Sequence, residues 1–381
     1  MYPLRFQPLL RDYLWGGRRL EQLGKQLGPG DHWAESWEVC DHDRDQSVVL
    51  AGELAGRTLG SLVAEFNQEL LGRHAPQKRF PLLFKLLDAN RTLSVQVHPN
   101  DEQAAKLDPP DLGKTEAWVV LDAKPGSVLY AGLKRGFDRR ALAREVERGT
   151  CELCLHQFEP KPGDCILIEA GTPHAIGAGL LIAEIQQSSD VTYRLYDWNR
   201  VGPDGKPREL HVEQALEVID YNRGPVMPQK PQPTSRPHVT RLAACDKFVL
   251  ERWQLDSPHV IGGDERFYII CVTKGLATLQ GDPLGEPLKA GSTALLPASA
   301  GAVRIEPQEP GEALVAYLPA DALPGARRWA GRLRAAALAM LQPRQPLQPS
   351  RPARFPAKFR DPVPHLRQER VLVQGGEPQF L

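Results

Sequence analysis

The sequence predicts a mainly β protein, folded as a barrel or a sandwich, with a few peripheral helices. Short alternating or apolar runs recur at intervals of roughly 8–12 residues, which is typical of all-β folds. The chain of 381 residues contains 33 glycines and 35 prolines, as expected where many strands are joined by tight turns. A chain of this length is long enough for two domains and a tail.

Composition and charge exclude several classes of partner. Hydrophobic residues make up 41% of the chain and charged residues 25%, which is ordinary for a soluble globular protein. Basic and acidic residues both number 47, and this balance argues against nucleic acid as the main partner. No run of about 18 apolar residues is present, so we expect no membrane span. The N-terminus lacks the apolar core of a signal peptide, so we expect a cytoplasmic protein whose six cysteines are reduced.

The elements of the first half follow from local patterns. Trp15, Gly16 and Gly17 predict a tight turn, and the alternation at 34–39 predicts a strand. Leucine and phenylalanine at helical spacing predict an amphipathic helix over 59–73, and a polar loop with one helical turn is expected at 100–113. Further strands are predicted at 80–87, 93–98, 127–132, 165–168, from residue 174, at 180–186 and at 191–198, with helices over 138–149, capped by Asp138, and over 211–221.

A proline-rich stretch at 224–237 predicts the main domain boundary. We therefore expect a catalytic domain over residues 1–237 and a second all-β domain over residues 238–320. Residues 321–381 are expected to start with a helix over 322–341 and to continue as a mostly disordered tail rich in proline and arginine.

The strand at 93–98 carries half of a plausible metal site. Side chains alternate between the two faces of a strand, so Gln96 and His98 point one way and the valines between them the other. Glu116 opens the next apolar run, and its carboxylate joins them if that run is a neighbouring strand. Taken alone, the pattern also fits a polar strand face turned to solvent.

A second sequence pattern favours a metal site over a polar strand face turned to solvent. Gly163 is followed, after five residues, by Glu169-Ala170-Gly171-Thr172-Pro173-His174. This run resembles the second motif of the cupin superfamily, in which a metal-binding histidine follows a tight turn. The segment from Gln96 to His98, followed by Glu116, takes the place of the first motif. The resemblance implies cupin-like β-barrels of the jelly-roll type, and the donor set suits zinc or another divalent ion.

Longer stretches resemble one family, the type I mannose-6-phosphate isomerases (phosphomannose isomerases). The resemblance covers roughly residues 1–320, and the short loop at 100–113 indicates the short bacterial form. The matching stretches are 34–38, 86–90, 93–101, 113–116, 170–175 and 190–197.

This resemblance implies one zinc ion per chain and an isomerase that interconverts mannose 6-phosphate and fructose 6-phosphate. The implied zinc ligands are Gln96, His98, Glu116 and His174. The implied catalytic residues are Arg194, Lys114 and Asp190, and the implied substrate-binding residues are Lys114, Arg194 and Ser94. One position departs from the family pattern: some long members have a histidine before the lysine, where this chain has Gly113.

The chemical requirements of the isomerisation agree with the residues implied by this resemblance. Aldose–ketose isomerisation proceeds through an enediol, so it needs a cation that stabilises negative charge on oxygen and a group that carries a proton. A zinc ion with an open position supplies the first, and Arg194 can assist it. Lys114 shares a strand face with Glu116, which puts an ammonium group beside the metal. Lys114 and Arg194 are also the candidates for binding the phosphate, so neither has a single assigned role.

The second predicted domain repeats the glycine pattern without the histidine. Gly291 is followed, after five residues, by Pro297-Ala298-Ser299-Ala300-Gly301-Ala302, which puts Ala302 at the histidine position. We expect this cupin-like domain to bind no metal and to pack against the first as a structural unit.

Two other functions fit parts of the sequence. A cupin that binds a sugar phosphate without turnover is the main alternative, and a metal-dependent cupin oxygenase is a third, although three histidines would suit it better. Cys151 and Cys154 form an isolated C-x-x-C, which we assign to packing. The expected partner is a small sugar phosphate, and the expected state is a monomer or a weak homo-oligomer.

Overall fold

Antiparallel β-strands are the main regular structure of the chain, of which the computed structural model describes residues 1–202 and 205–320. The strands are β1 (Leu4–Gln7), β2 (Leu9–Gly17), β3 (Trp33–Val39), β4 (Asp41–His42), β5 (Asp45–Gln46), β6 (Val48–Val49), β7 (Leu82–Ala89), β8 (Val95–Val97), β9 (Glu116–Ala123), β10 (Leu129–Leu133), β11 (Leu155–Phe158), β12 (Cys165–Ile168), β13 (His174–Ile176), β14 (Leu180–Gln187), β15 (Tyr193–Tyr196), β16 (Gln232–Pro233), β17 (Val239–Ala244), β18 (Val249–Leu255), β19 (His259–Gly262), β20 (Tyr268–Leu279), β21 (Leu288–Lys289), β22 (Thr293–Leu296) and β23 (Ala302–Tyr317).

Short helices accompany the strands. Within the described residues the α-helices are α1 (Leu59–Glu65), α2 (Asn67–Leu71), α3 (Asp101–Ala104), α4 (Arg139–Glu147) and α5 (Val212–Val218). Single 3₁₀ turns lie at Arg19–Leu23, Gly72–His74, Cys151–Cys154 and Ala298–Ala300. The mainly β fold predicted from the sequence is confirmed. No helix in the described residues is long and apolar enough to cross a membrane.

Two sheets form the first half of the described chain. One has six strands in the order β12-β9-β14-β7-β3-β2, and the other has five in the order β11-β10-β13-β8-β15. A buried apolar cluster draws side chains from both sheets, among them Trp118 of β9 and Ile182 of β14 from the first, and Leu129 of β10 and Ile176 of β13 from the second. The two sheets therefore pack against each other and enclose an interior between them.

A ten-stranded sheet contains most of the strands after residue 230. Its path is β16-β17-β18-β23-β20-β22-β1-β6, with β19 beside β23 and β21 beside β20. The strand β1 belongs to this sheet although it comes first in the chain, because Leu4 pairs with Leu295 of β22. One buried cluster joins Phe80 and Phe84 to Phe248 and Phe267, so both halves contribute to the same core. The domain boundary near residue 237 stays a prediction.

Two predicted elements differ from the structure. The expected helix over 59–73 is divided into α1 and α2, because Phe66 adopts non-helical dihedral angles of φ −117° and ψ 37°. The turn expected at 15–17 is wrong, since these residues end the strand β2. Glycine at position 16 allows the backbone of His32 to pack closely against β2, because a Cβ there would collide with the carbonyl of His32.

Other predicted elements match closely. The helix α4 begins after Asp138, whose side chain accepts a hydrogen bond from the Ala141 N–H as an N-cap. The loop after residue 100 contains the one helical turn expected there, α3, which begins with a capping box formed by Asn100 and Gln103. The predicted helix at 322–341 and the predicted disordered tail lie outside the described residues.

Candidate metal centre

The five-stranded sheet aligns three of the predicted site residues. Gln96 of β8 lies opposite His174 of β13 on one side and opposite Arg194 of β15 on the other. Residues directly opposite in an antiparallel pair project to the same face, so these three side chains share one face of the sheet. His98 follows β8 at the alternate position, which places it on the side of Gln96.

Glu116 comes from the other sheet. It begins β9, whose hydrogen-bonded neighbours are β12 and β14, and not β8 as the sequence suggested. Its carboxylate reaches the histidines across the interior: Oε2 lies 3.5 Å from His98 Nε2, and Oε1 lies 3.4 Å from His174 Nε2. One ligand atom from each of these residues lies within 4.8 Å of the others, and all three side chains are buried. This group could hold a metal ion.

The hydrogen bonds of both histidines fix which nitrogen faces the centre. Nδ1 of His98 donates to the carbonyl of Val191 at 2.9 Å, and Nδ1 of His174 donates to the carbonyl of Thr172 at 2.8 Å. A carbonyl only accepts, so each Nδ1 carries the proton and each Nε2 keeps its lone pair. Metal-binding histidines are oriented in this way by their other nitrogen. Nε2 of His174 is buried without a hydrogen-bond partner, as expected of an atom that faces a cation.

The surroundings also keep both imidazoles neutral. Burial, followed by the charge of Lys114, lowers the pKa of His98 well below its ordinary value. Burial lowers the pKa of His174 to about 4, against the opposing effect of its bond to Thr172. Neutral imidazole is the form that binds a metal, so at neutral pH these two side chains are ready ligands.

Lys114 lies directly beside this group. Its Nζ is 3.0 Å from Glu116 Oε2 and 3.3 Å from His98 Nε2, and the residue is buried. Its backbone N–H donates to the carbonyl of Pro99 at 3.0 Å, which fixes the segment that leads into β9. The ammonium group is therefore close enough to act on any molecule bound next to the metal group.

A cavity of 320 Å³ adjoins the metal group through Gln96 and Lys114. Five of the predicted site residues line it together: Ser94, Gln96, Lys114, Asp190 and Arg194. The other lining residues are Tyr13, Trp15, Glu35, Lys85, Leu87, Leu93, Ile176, Glu184, Thr192 and Arg208. The cavity thus combines polar and charged groups with a few apolar walls, as small-molecule sites do.

Arg194 and Asp190 occupy different surroundings within this cavity. Arg194 is half-buried: its Nη1 donates to the carbonyl of Glu209 at 2.7 Å, while its Nε is buried without a partner. Burial, together with the charge of Arg208, lowers the pKa of Arg194. Asp190 is exposed, so its carboxylate is in contact with solvent.

Sequence reasoning missed a buried charged group in the same cavity. Nζ of Lys85 lies 3.7 Å from Glu35 and 3.8 Å from Glu184, and it also lies 4.5 Å above the ring of Trp37. Burial alone would lower the pKa of Lys85, but the two carboxylates outweigh it and the pKa is raised. The available signal was a charged residue in the middle of an apolar run, which β7 and β14 each contain.

The corresponding position of the second half differs in its burial. Ala302 begins β23 as an exposed residue, whereas His174 begins β13 fully buried. Among residues 1–202 and 205–320, the group of His98, Glu116 and His174 is the only cluster of histidine, cysteine and acidic residues close enough to hold a metal.

Known proteins resemble this chain in sequence. A family model described as the type I phosphomannose isomerase catalytic domain matches residues 4–116. Mannose-6-phosphate isomerase ManA of Bacillus subtilis is 36% identical over 311 residues, which is 80% of this chain and 96% of that protein. The chain belongs to the type I phosphomannose isomerase family. Mannose-6-phosphate isomerase of Streptococcus mutans, a further relative, is 34% identical over 278 residues, or 72% of this chain and 85% of that protein.

A solved structure supports the same conclusion for the fold. The crystal structure of the mannose 6-phosphate isomerase from Bacillus subtilis superimposes with a TM-score of 0.76 at 30% identity. It covers 84% of this chain and is itself covered completely. Both the resemblance inferred from the motifs and the short bacterial form of the type I phosphomannose isomerases are thereby confirmed.

Proposed function

We propose that this protein is a zinc-dependent aldose–ketose isomerase that interconverts mannose 6-phosphate and fructose 6-phosphate through an enediol intermediate. The main supporting observation is the buried group of His98, Glu116 and His174, whose ligand atoms lie close together next to a charged cavity. Membership of the type I phosphomannose isomerase family supports the same reaction.

The residues of the centre fit a zinc ion. Two neutral imidazoles and a carboxylate are common zinc ligands, and the amide oxygen of Gln96 would complete the set on the same sheet face. When bound, zinc supplies a Lewis acid that polarises the sugar oxygens at C1 and C2. One zinc ion per chain is expected.

The reaction needs no oxidant or reductant. In the direction of fructose 6-phosphate, a proton leaves C2 of the open-chain aldose and a proton joins the oxygen on C1, which gives the enediol. A proton then returns to C1 while the oxygen on C2 loses its proton, which gives the ketose. The protein must therefore stabilise negative charge on two neighbouring oxygens and move one proton between two carbons.

The cavity residues divide these tasks. Lys114, next to the metal group, donates a hydrogen bond to a sugar oxygen and exchanges its proton during the step. Arg194 uses its unpaired Nε to stabilise negative charge on the enediol oxygens. Asp190 serves as the acid/base group in contact with solvent, and Ser94 binds a sugar hydroxyl.

The charge of the cavity favours an anionic substrate. Its lining contains four cations, Lys85, Lys114, Arg194 and Arg208, and three carboxylates, Glu35, Glu184 and Asp190. With Glu116 and a divalent ion included, positive charge exceeds negative charge by two. A phosphate monoester carries nearly two negative charges at neutral pH, so a sugar phosphate would balance the site.

A coupled assay of fructose 6-phosphate formation tests this function. Zinc-loaded protein is expected to turn over mannose 6-phosphate, and metal-stripped protein should lose and then regain activity when zinc is restored. Zinc-loaded protein that binds the sugar phosphate without turnover would contradict the proposal and favour a non-catalytic sugar-phosphate-binding cupin.

A further inference from the structure

A turn of the second half reaches the segment that carries Lys114. This turn connects β17 to β18, and its Phe248 is buried in the core that both halves share. Nζ of Lys247, in the same turn, donates a hydrogen bond to Oδ2 of Asp101 at 2.5 Å. Asp101 begins α3 in the first half, 146 residues earlier in the chain. Lys247 belongs to none of the motifs found in the sequence.

Asp101 connects this contact to the residues directly before β9. Its Oδ1 accepts hydrogen bonds from the N–H of Gly113 at 3.0 Å and from Nε2 of Gln187 at 2.8 Å. Gln187 in turn accepts, through Oε1, a hydrogen bond from the N–H of Thr115 at 3.1 Å. The backbone on both sides of Lys114 is therefore tied, directly or through one side chain, to this carboxylate.

The same segment packs tightly against the start of α3. A Cβ on Gly113 would lie 2.5 Å from the backbone C of Asn100 and 2.5 Å from the backbone N of Asp101, so a larger residue would push the two segments apart. Any displacement of Asp101 is therefore expected to displace Lys114 as well.

Lys247 and Asp101 form a charged pair. Burial alone would lower the pKa of Lys247, but the hydrogen bond to Asp101 outweighs it and the pKa is raised. Burial alone would raise the pKa of Asp101, but the hydrogen bonds from Lys247 and Gln187 outweigh it and the pKa is lowered. Hydrogen bonds between ionised groups are roughly twice as strong as those between neutral groups, so at neutral pH this pair holds Asp101 firmly.

The position of Lys114 depends on these contacts more than the position of Glu116 does. Glu116 is the first residue of β9, and it pairs with Ile168 of β12 on one side and with Gln186 of β14 on the other. Lys114 lies two residues before the strand, outside this ladder of paired residues. Loss of support at Asp101 should therefore move the ammonium group and leave the metal group in place.

We propose that Lys247 is a positioning residue for catalysis, which acts through Asp101 to hold Lys114 where its ammonium group meets the substrate. This role rests on the proposed function, in which Lys114 exchanges a proton with the sugar. It gives the second half of the chain, which contributes no residue to the metal group, a part in the reaction.

Lys247→Met tests this role, because methionine keeps an unbranched side chain but removes the charge and the donor. We expect kcat to fall about 10–100-fold, since a small misplacement of a catalytic group costs this much. Zinc content should match the wild type, and KM should rise less than kcat falls, because the proton transfer occurs only in the transition state. Lys247→Arg, which keeps a cation for Asp101, should retain most of the wild-type kcat.

Arg252→Met is the matched control, because it removes another cation that joins the two halves. Arg252 of β18 is half-buried, as Lys247 is, and its Nη2 donates to the carbonyl of Gly163 in the first half at 2.8 Å. Gly163 precedes the end of β12 that lies away from Glu116. Arg252→Met should lower the free energy of unfolding in urea and leave kcat unchanged.

Three results of these measurements would overturn the proposal. The first is an unchanged kcat in Lys247→Met, and the second is an equal loss of kcat in Arg252→Met. The third is loss of zinc from Lys247→Met, because the effect would then lie in the metal group and not in Lys114.

Hydrogen exchange separates this role from the proposed function. If wild-type protein shows no turnover, the isomerase assignment fails, but exchange at the amides of Gly113 and Thr115 still reports on the support from Asp101. In Lys247→Met these amides should exchange about 5-fold faster, as expected when a hydrogen bond is weakened. In Arg252→Met they should exchange at the wild-type rate. Equal exchange in Lys247→Met and the wild type would contradict the positioning role.

Discussion

His174 shows how the metal group is prepared at the scale of single residues. Its ring is fully buried, its Nδ1 is committed to a backbone carbonyl, and its Nε2 is left without a partner. A buried polar atom without a partner destabilises a fold by about 1–3 kcal/mol. The arrangement is therefore reasonable only if a ligand satisfies Nε2, and a cation next to Glu116 does so.

We expect His174→Ala to lose zinc and activity together. Loss of an outer partner of a metal ligand already weakens binding 10–100-fold, so loss of the ligand itself should weaken it more than about 100-fold. Elemental analysis of the purified protein and the coupled assay measure the two effects. His156→Ala, at a half-buried histidine on β11, is the control and should keep both. Full zinc content in His174→Ala would contradict the ligand assignment.

Arg194→Ala should separate metal binding from catalysis. The side chain lines the cavity without belonging to the metal group, so zinc content should match the wild type. Loss of a group that stabilises charge on oxygen should lower kcat about 100–1000-fold. An unchanged kcat with normal zinc would remove Arg194 from the chemistry.

Site residues that belong to a local sequence motif could be predicted from the sequence. Site residues whose role depends on a partner brought near by folding could not. Gln96, His98, Glu116 and His174 follow recognisable patterns of glycine, proline and alternation. Lys85 does not, because its role depends on Glu184, which lies about 100 residues away and becomes its cross-strand partner only in the folded sheet. Sequence alone does not specify that pairing.

At the scale of elements, the metal group depends on the packing of two sheets. The strands β8 and β13 supply the histidine side, and β9 supplies Glu116 from the opposite sheet. The sequence identified these runs as strands, but the sheet to which each one belongs is set by long-range pairing and not by local pattern. Small shifts of one sheet against the other would therefore alter the distance between ligands.

The cross-strand contact of Lys85 with Glu184 links β7 to β14, and we expect it to stabilise the six-stranded sheet. Lys85→Met should destabilise the protein by about 3–5 kcal/mol, because it leaves two buried carboxylates without a cation. Urea unfolding measures the change. The double variant Lys85→Met/Glu184→Gln should recover part of the loss, and a double variant as unstable as the sum of the single changes would argue against coupling.

A second contact between elements should make stability depend on pH. His42 of β4 lies 3.1 Å from Asp111, which follows α3. The hydrogen bond to Asp111 raises the pKa of His42. The contribution of protonated His42 to the free energy of unfolding is therefore complete below about pH 6.5, the ordinary pKa of histidine, and is lost as pH rises through the pKa of His42 in the folded protein. Despite burial, the bond to His42 holds the pKa of Asp111 far below its ordinary value. The contribution of ionised Asp111 to the free energy of unfolding is present above about pH 3.9 and is lost only at lower pH, as the carboxylate of the folded protein is protonated.

We therefore expect His42→Ala to destabilise the protein by about 1 kcal/mol at pH 5.5 and by clearly less at pH 8.5. Urea unfolding at the two pH values measures this difference. An equal effect of His42→Ala at both pH values would rule out the charged pair.

At the scale of the whole molecule, the two halves share one core. Phe80 and Phe84 from the first half pack in the same buried cluster as Phe248 and Phe267 from the second. The proline-rich stretch at 224–237 has the composition of a linker. A local sequence pattern does not indicate which distant surfaces pack together in the folded protein. That residues 1–237 and 238–320 form separate domains stays a prediction.

We expect a fragment comprising residues 1–237 to fold poorly on its own. Its share of the common core would be exposed to water, and exposed apolar surface of this kind favours aggregation or a loosely packed state. Unfolding in urea and binding of a hydrophobic dye measure this. The fragment 1–320 is the control, and a cooperative transition for residues 1–237 without dye binding would establish an independent domain.

The pairing of β1 with β22 has a consequence for synthesis on the ribosome. Leu295 is made about 290 residues after its partner Leu4. At cellular rates of translation this interval is roughly 15–60 s. During that time β1 can pair with β6 but lacks β22, so one of its two edges in the ten-stranded sheet stays unpaired. Chaperones that bind short apolar segments would therefore have an interval in which to bind this strand, and β1 can pair with β22 only after Leu295 has been made.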